Sequence, residues 1–79
     1  MPADLPASID ELRTTVAEHL HTAPELLSDE DNLVALGLES ITVMKLIGRW
    51  RRAGIRLRYS DLINRPTLAA WWHHLETQP

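Results

Sequence analysis

The helical pattern that begins at Ser40 and ends at Gly54 is the feature that most constrains the fold of this chain. Within it, apolar residues recur at spacings of three and four, which places them on one face of an α-helix. Serine is a preferred N-cap because its hydroxyl accepts from an unpartnered helical N–H, and glycine suits the left-handed position after a helix. The pattern predicts a helix over residues 41–53, capped by Ser40 and ended by Gly54. Its core face holds Val43, Leu46, Ile47 and Trp50.

Two further stretches, one on each side, show the same helical pattern. Ser8 and Glu11 form a capping box, in which each side chain accepts from the other residue's backbone N–H, before an amphipathic helix of about twelve residues. We expect Thr22-Ala23-Pro24 to end this helix, because proline disfavours a helical conformation in the residue before it. Thr67 is predicted to cap a last helix. One residue of the Trp71-Trp72 pair should be buried there, and the other should lie at the rim of the core.

The sequence between these helices contains no pair of strand patterns, so we expect no β-sheet. Ile55 to Tyr59 alternates apolar and basic residues, but no second strand pattern exists to pair with it, and a lone strand is not stable. We interpret it as an extended loop before a one-turn helix over Asp61 to Asn64, capped by Ser60. The connection from Thr22 to Glu39 holds too many leucines for a free linker and should pack on the helices. The prediction is all-α: a small four-helix bundle of three longer helices and one short helix, with a long first loop.

Length and composition limit the classes of function. A chain of 79 residues makes one small domain and is too short for a deep catalytic cleft. It has no cysteine, hence no disulfide framework and no thiolate nucleophile. It also has no membrane-length apolar run and no signal-like start. We expect a monomeric, cytoplasmic domain without a membrane partner, with a flexible lead-in over residues 1–7, a folded domain over 8–76 and a tail over 77–79.

Charge is divided unevenly along the chain. Residues 1–40 carry nine acidic groups against Arg13 alone, and residues 41–79 carry seven basic groups against Asp61 and Glu76. The two balances, −8 and +5, give the net charge of −3. Such asymmetry can orient a partner during encounter. The cluster from Arg49 to Arg58, with Trp50 inside it, is also typical of a nucleic-acid-binding domain, although the overall acidity opposes that function.

Ser40 is not predicted to be a hydrolytic nucleophile. A nucleophilic serine needs a neighbouring base, and the four histidines lie near predicted helix ends away from residue 40. The G-x-S-x-G elbow is also absent. The pairs His19/His21 and His73/His74 lack the i, i+4 spacing of helical zinc ligands. We therefore expect neither catalysis nor a metal site in this chain.

The residues around Ser40 resemble the phosphopantetheine attachment region of carrier proteins. This resemblance rests on Asp31-Asn32-Leu33 and on Leu36-Gly37-Leu38-Glu39-Ser40-Ile41. Other segments are similar to the aryl carrier proteins of siderophore-type nonribosomal peptide synthetases: Arg49-Trp50-Arg51-Arg52, Leu57-Arg58-Tyr59-x-x-Leu62, and Arg65-Pro66-Thr67-Leu68 before Trp71-Trp72. The resemblance covers residues 8 to 76.

The resemblance implies the same helical fold and a covalent 4′-phosphopantetheine arm on Ser40, transferred from coenzyme A by a phosphopantetheinyl transferase. The arm would hold an aryl acid of the salicylate or 2,3-dihydroxybenzoate type as a thioester. An aryl-acid adenylating ligase would load it, and a condensation or cyclisation domain would receive it. The chain itself would be non-catalytic. The alternatives are a peptidyl or acyl carrier of other cargo, or a small helical docking or nucleic-acid-binding domain that uses the Arg49–Arg58 cluster.

Partner contacts in the resembled family centre on the second helix and the short third one. This implies a partner interface made of Glu39, Ile41, Met44, Tyr59 and Ile63. Two positions depart from the family pattern. Glu39 stands where aspartate is most common, which moves a charge by one methylene beside the serine. Arg58-Tyr59 stands where an acidic residue followed by phenylalanine is common, which reverses a charge near the docking region.

Overall fold

A computed structural model of the chain describes residues 5–78, which form four α-helices and one 3-10 turn but no strand. Residues 1–4 of the predicted lead-in, and Pro79 of the predicted tail, lie outside the described residues. The helices are α1 (Ile9–Leu20), α2 (Ser40–Arg52), α3 (Tyr59–Ile63) and α4 (Leu68–Glu76), and the 3-10 turn is Pro24–Leu26. The predicted all-α bundle of three longer helices and one short helix is confirmed, and so is the loop conformation of residues 55–58.

Side-chain caps begin α1 and α4 where the sequence predicts them. The Ser8 hydroxyl accepts from the N–H of Glu11 at 3.2 Å. The Thr67 hydroxyl accepts from the N–H of Ala70 at 3.1 Å. The second half of the capping box differs from the prediction, because the Glu11 carboxylate accepts from the N–H of Ala7, at 2.9 Å, and not from that of Ser8. The carboxylate therefore holds the chain one residue further upstream.

Left-handed residues follow α1 and α2. His21 has a φ of 56°, so α1 ends before the predicted stop at Thr22-Ala23-Pro24. That prediction is wrong because a histidine that adopts this sparsely populated conformation ends a helix without help from proline. After α2, Gly54 has a φ of 101°, and the N–H of Ile55 donates to the Trp50 carbonyl at 3.0 Å. This is a Schellman motif, and it confirms the predicted role of Gly54.

The short helix α3 begins earlier than predicted. Its N-cap position is occupied by Arg58, and Ser60 lies inside the helix. The Asp61 carboxylate accepts from the backbone N–H of Arg58 at 2.9 Å, so it stabilises the first turn from within. The prediction of a Ser60 cap is wrong because the Asp61 carboxylate satisfies the N–H of Arg58, and the helix therefore begins two residues earlier.

Two tryptophans from α2 and α4 form the centre of the core. Trp50 and Trp71 are 1% and 0% exposed, and their rings meet edge to face at a centroid distance of 6.4 Å. The Trp71 indole N–H donates to the Leu62 carbonyl at 2.9 Å, so its polar atom is satisfied. Trp72 is half-buried, which confirms the prediction for the tryptophan pair. The predicted core residues of α2 are all buried: Val43, Leu46, Ile47 and Trp50.

The loop between α1 and α2 packs on the helices through part of its apolar content. Of its five leucines, Leu27, Leu33 and Leu38 are buried, whereas Leu26 and Leu36 are exposed. Two backbone hydrogen bonds join the loop to the start of α4. The N–H of Leu33 donates to the Pro66 carbonyl at 2.8 Å, and the N–H of Ala69 donates to the Asp29 carbonyl at 3.0 Å. These contacts fix the path of the chain that leads to Ser40.

Arg13 links α1 to the same loop. Its guanidinium pairs with Asp10 in its own helix and with Asp29 in the loop. The hydrogen bond to Asp29, together with the one to Asp10, raises the pKa of Arg13 against the opposing effect of its burial. Arg13 therefore stays charged and anchors the acidic loop.

Candidate functional site

Ser40 is the first residue of α2, and Glu39 occupies the N-cap position. The predicted N-cap role of Ser40 is therefore wrong by one residue. The extended conformation that an N-cap adopts falls on Glu39, at φ −82° and ψ 150°, so Ser40 already has helical geometry. No side chain caps this end of α2 among residues 5–78. The exposed Ser40 hydroxyl thus lies at a helix terminus whose free backbone N–H groups it does not cap.

The N-terminus of α2 provides a positive environment for an anion. The first N–H groups of a helix have no intrahelical acceptors, and the first bond here runs from the N–H of Val43 to the Glu39 carbonyl at 3.1 Å. The first turn of α2 contains no acidic residue, although the exposed Glu39 directly precedes it. The 13-residue helix also directs the positive end of its dipole toward Ser40. A phosphate bonded to the Ser40 oxygen would be stabilised at this position.

A tight turn immediately before Ser40 holds the serine at the surface. Gly37 has a φ of 110°, a conformation that glycine adopts without strain. The N–H of Leu38 donates back to the Leu33 carbonyl at 3.0 Å. Both leucines are buried, so the turn is anchored on its two sides. The next residues, Glu39 and Ser40, are consequently exposed.

Two polar side chains shape the loop that leads to this turn. The Asp31 carboxylate accepts from the N–H of Ser28 at 2.9 Å. The Asn32 amide oxygen accepts from the N–H of Ala35, also at 2.9 Å. Aspartate and asparagine commonly stabilise turns through such local hydrogen bonds. The Asp31-Asn32-Leu33 segment therefore has a structural role in positioning Ser40.

Exposed apolar side chains lie near the start of α2 and at the start of α3. Ile41 and Met44 are each 60% exposed, and Tyr59 is 38% exposed, as predicted for a contact surface. Ile63 is different, because it is half-buried and packs against the core. The prediction of an exposed Ile63 is therefore wrong. The neighbouring Leu62 is fully buried, which draws the five-residue helix α3 onto the core.

Sequence reasoning missed three exposed apolar residues in the first loop. Leu26, Val34 and Leu36 are 72%, 44% and 51% exposed. A run of leucines in a loop predicts burial, and nothing local distinguishes these residues from the buried Leu27 and Leu33. They extend the apolar surface of the loop that precedes Ser40.

The burial of Trp50 weakens the nucleic-acid alternative. Proteins that bind single strands stack bases on exposed aromatic rings. Trp50 is 1% exposed and packs on Trp71, so it is not accessible to a base. The cluster from Arg49 to Arg58 therefore provides charge without a stacking platform.

The described residues contain no candidate membrane span and no candidate metal site. Over residues 5–78, no helix has both the length and the apolar character needed to cross a membrane. The same residues contain no group of three or more histidine, cysteine, aspartate or glutamate side chains arranged to hold a metal ion.

Comparison with known proteins identifies a family and several relatives. The family model described as "Phosphopantetheine attachment site" matches residues 10–75. Isochorismatase of Bacillus subtilis is 35% identical over 69 residues, which cover 87% of this chain and 22% of that protein. Phenyloxazoline synthase MbtB of Mycolicibacterium paratuberculosis is 41% identical over 66 residues, which cover 84% of this chain and 6% of that protein. Enterobactin synthase component B of Escherichia coli is 36% identical over 78 residues, which cover 99% of this chain and 27% of that protein.

The extent of these matches differs between the family and the relatives. The chain spans only 6% to 27% of the length of the relatives named above. The family model, in contrast, covers most of the 79 residues and includes both Ser40 and the turn before it. The chain therefore belongs to the phosphopantetheine attachment family, whose domains carry a covalent 4′-phosphopantetheine group.

Proposed function

We propose that this chain is an aryl carrier domain of nonribosomal siderophore or peptide biosynthesis, with its 4′-phosphopantetheine arm on Ser40. The observation that carries the proposal is the position of Ser40: an exposed hydroxyl that caps nothing, at the positive end of α2 and inside the matched region. The motifs from Arg49 to Trp72 support the aryl subclass through their resemblance to aryl carriers. The name of one relative, phenyloxazoline synthase, also specifies a phenyl-bearing product.

In this proposal Ser40 contributes an oxygen nucleophile, and a separate transferase contributes the catalysis. The Ser40 oxygen forms a bond to phosphorus in the diphosphate of coenzyme A, and the bridging P–O bond breaks. Adenosine 3′,5′-bisphosphate leaves, and the hydroxyl proton passes to a base of the transferase. The N–H groups at the start of α2 then stabilise the phosphodiester charge. When bound, the arm supplies the thiol that this cysteine-free chain lacks, so that an aryl acid is held as a thioester.

Because the chain itself would catalyse no step, the proposal requires separate partner proteins. They are a phosphopantetheinyl transferase, an aryl-acid adenylating ligase, and a condensation or cyclisation domain that receives the cargo. The chain itself would be a non-catalytic monomeric domain, with residues 8–76 as the folded unit. We place it in the cytoplasm because coenzyme A, the donor of the arm, is an intracellular metabolite.

Loading with an aryl acid tests the function directly. The protein is first incubated with coenzyme A, magnesium and a broad-specificity phosphopantetheinyl transferase. It is then incubated with ATP, a ligase that activates 2,3-dihydroxybenzoate or salicylate, and the matching acid. Intact mass should rise by one phosphopantetheine group and then by one aryl acyl group. A different outcome is a sample that gains the arm and is then loaded equally well with aliphatic acids or amino acids, by their own ligases, and with the aryl acid. This result would identify a carrier of other cargo. No arm on a folded, previously unmodified sample would favour a docking domain.

Met44 offers a test of the proposed partner interface, which also includes Glu39, Ile41 and Tyr59. We expect Met44→Ala to slow acyl transfer to the receiving domain about tenfold, because it removes an exposed apolar contact beside Ser40. Ser40 modification should be largely retained. The free energy of unfolding should change by no more than about 0.5 kcal/mol, as for most surface substitutions.

Glu18→Ala, at an exposed position on α1, is the control for the Met44 experiment. It should leave acyl transfer unchanged. Parallel loss of transfer and of helicity in Met44→Ala would instead assign Met44 to the core. Ile63→Ala is a poorer test, because Ile63 packs against the core and its truncation would also affect stability.

A further inference from the structure

The exposed face of α2 continues beyond Ile41 and Met44 as a basic surface. We propose that this surface docks an acidic helix of a partner protein that acts on the Ser40 arm. The basic face consists of Lys45, Gly48, Arg49 and Arg52. These positions follow Ile41 at spacings of three and four, so they form one stripe along the helix. The inference rests on the proposed function and adds the chemistry of one partner.

The cations of the basic face have no ion-pair partner within the described chain. Over residues 5–78, ion pairs join Arg13 to Asp10 and Asp29, and Arg58 to Asp61. Lys45 and Arg52 are exposed, and Arg49 is half-buried. An open groove of about 550 Å³ adjoins the end of α2, and three arginines and one carboxylate line it among others: Arg51, Arg56, Arg58 and Asp61. The basic face therefore presents uncompensated positive charge that a carboxylate-rich surface would neutralise.

The helix dipole explains only part of this charge. Cations near the C-terminus of a helix favour its negative end, and Arg49, Arg51 and Arg52 lie in the last turn of α2. Lys45, however, lies in the middle of the helix, outside the last turn. Arg58, at the N-cap of α3, is outside the basic face and is already paired with Asp61. The positive charge in this region thus extends beyond what helix stability requires.

Gly48 leaves a flat position in the middle of the basic face. Glycine is unfavourable in a helix interior compared with alanine. A Cβ at Gly48 would meet only the Nη1 atom of Arg52, at 3.6 Å, which is an ordinary contact. Gly48 is also absent from the residues with positive φ, so its backbone does not require glycine. Interhelical distance depends on the side chains at the contact, and the Arg52 side chain beside Gly48 is long and flexible. The missing side chain at Gly48 therefore permits the backbone of another helix to approach closely when the Arg52 side chain turns toward the partner's carboxylates.

An acidic protein helix fits these features better than a nucleic acid does. Trp50 is buried beneath the cluster and offers no stacking surface. Ile41 and Met44, each 60% exposed, continue the stripe toward Ser40 and would contact apolar residues of a helix.

Binding of a model peptide tests the charge part of the proposal. The probe is an acidic amphipathic helical peptide of glutamate, alanine and leucine, titrated into the full chain and followed by backbone NMR. Amide shifts should be concentrated over residues 41–52, and affinity should fall with added salt. Lys45→Glu should raise the Kd about tenfold. Arg65→Glu makes the same charge change in a different groove, lined by Glu30 and His73 among others, and should alter the Kd less than about twofold.

Gly48→Arg distinguishes two modes of peptide binding: one that needs close approach of the peptide to the Gly48 backbone, and one that needs only attraction between opposite charges. The substitution adds a cation and a better helix former, so the melting temperature should not fall. Attraction between charges alone predicts tighter peptide binding. Close approach at Gly48 predicts a Kd about tenfold higher, because the new side chain holds the peptide away from α2.

Three results would overturn the inference: tighter binding by Gly48→Arg, equal responses of Lys45→Glu and Arg65→Glu, or stronger binding of a short DNA duplex than of the peptide.

Intact mass after incubation of the wild-type sample with coenzyme A and the transferase separates this inference from the proposed function. A gained arm without the expected peptide behaviour rejects the acidic-helix inference alone. Absence of the arm rejects the carrier function itself.

Discussion

Ser40→Ala is expected to abolish modification by a phosphopantetheinyl transferase completely. In the proposed function, the substitution removes the oxygen that forms the bond to phosphorus. Intact mass spectrometry should show one added phosphopantetheine group on the wild type and none on the variant. Stability should barely change, by no more than about 0.5 kcal/mol, because Ser40 is not the N-cap and its replacement breaks no capping bond.

Ser60→Ala provides the matched control for Ser40→Ala. Ser60 is also an exposed serine close to a helix start, on α3. Its replacement should leave modification complete. A full mass gain on Ser40→Ala would show that another hydroxyl carries the arm. A loss of about 1 kcal/mol or more from the free energy of unfolding of Ser40→Ala would show that the serine caps the helix after all.

Trp71→Ala is expected to cost about 3–5 kcal/mol of unfolding free energy, as for other buried aromatic truncations. Trp71 is 0% exposed and meets Trp50 edge to face. Its indole N–H also donates to the Leu62 carbonyl, which joins α4 to α3. A domain of this size has a total stability of about 4–12 kcal/mol, so the variant should be close to unfolding at room temperature. Urea denaturation followed by circular dichroism measures the loss.

Two further variants distinguish the contribution of the Trp71 hydrogen bond from that of its burial in the core. Trp71→Phe keeps most of the apolar surface but leaves the buried Leu62 carbonyl without its donor, and should cost about 1–3 kcal/mol. Trp72→Ala should cost less than Trp71→Ala, because Trp72 is half-buried at the rim. Equal losses in Trp71→Ala and Trp72→Ala would contradict the core that the structure describes.

The features that the sequence predicted well depend on contacts within one or two helical turns. The Ser8 and Thr67 caps join residues three apart, and the Gly54 motif spans six residues. The core face of α2 follows from helical periodicity alone. Local chemistry of this kind is present in any segment that contains these residues, so it can be read before the fold is known.

Helix starts were predicted less well where more than one residue within a short segment could take the cap position. Glu39, and not Ser40, is the N-cap of α2, and Arg58, and not Ser60, is the N-cap of α3. The preference for serine amounts to about 1 kcal/mol, which a small gain in packing elsewhere can outweigh. Leu38 is buried just before α2 and Leu57 just before α3, so burial of the preceding residue accompanies both shifts.

The sequence by itself therefore determined the all-α class, the core face of α2 and the presence of a serine at the start of that helix. Only the tertiary structure decided which apolar residues of the first loop and of α3 face solvent: Leu27 is buried but Leu26 is exposed, and Ile63 lies against the core. It also decided how Ser40 is presented, through hydrogen bonds from Leu33 to Pro66 and from Ala69 to Asp29. The physical reason is that hydrophobicity specifies which side chains favour burial. Contacts between residues far apart in the chain specify which of them find a place in the core.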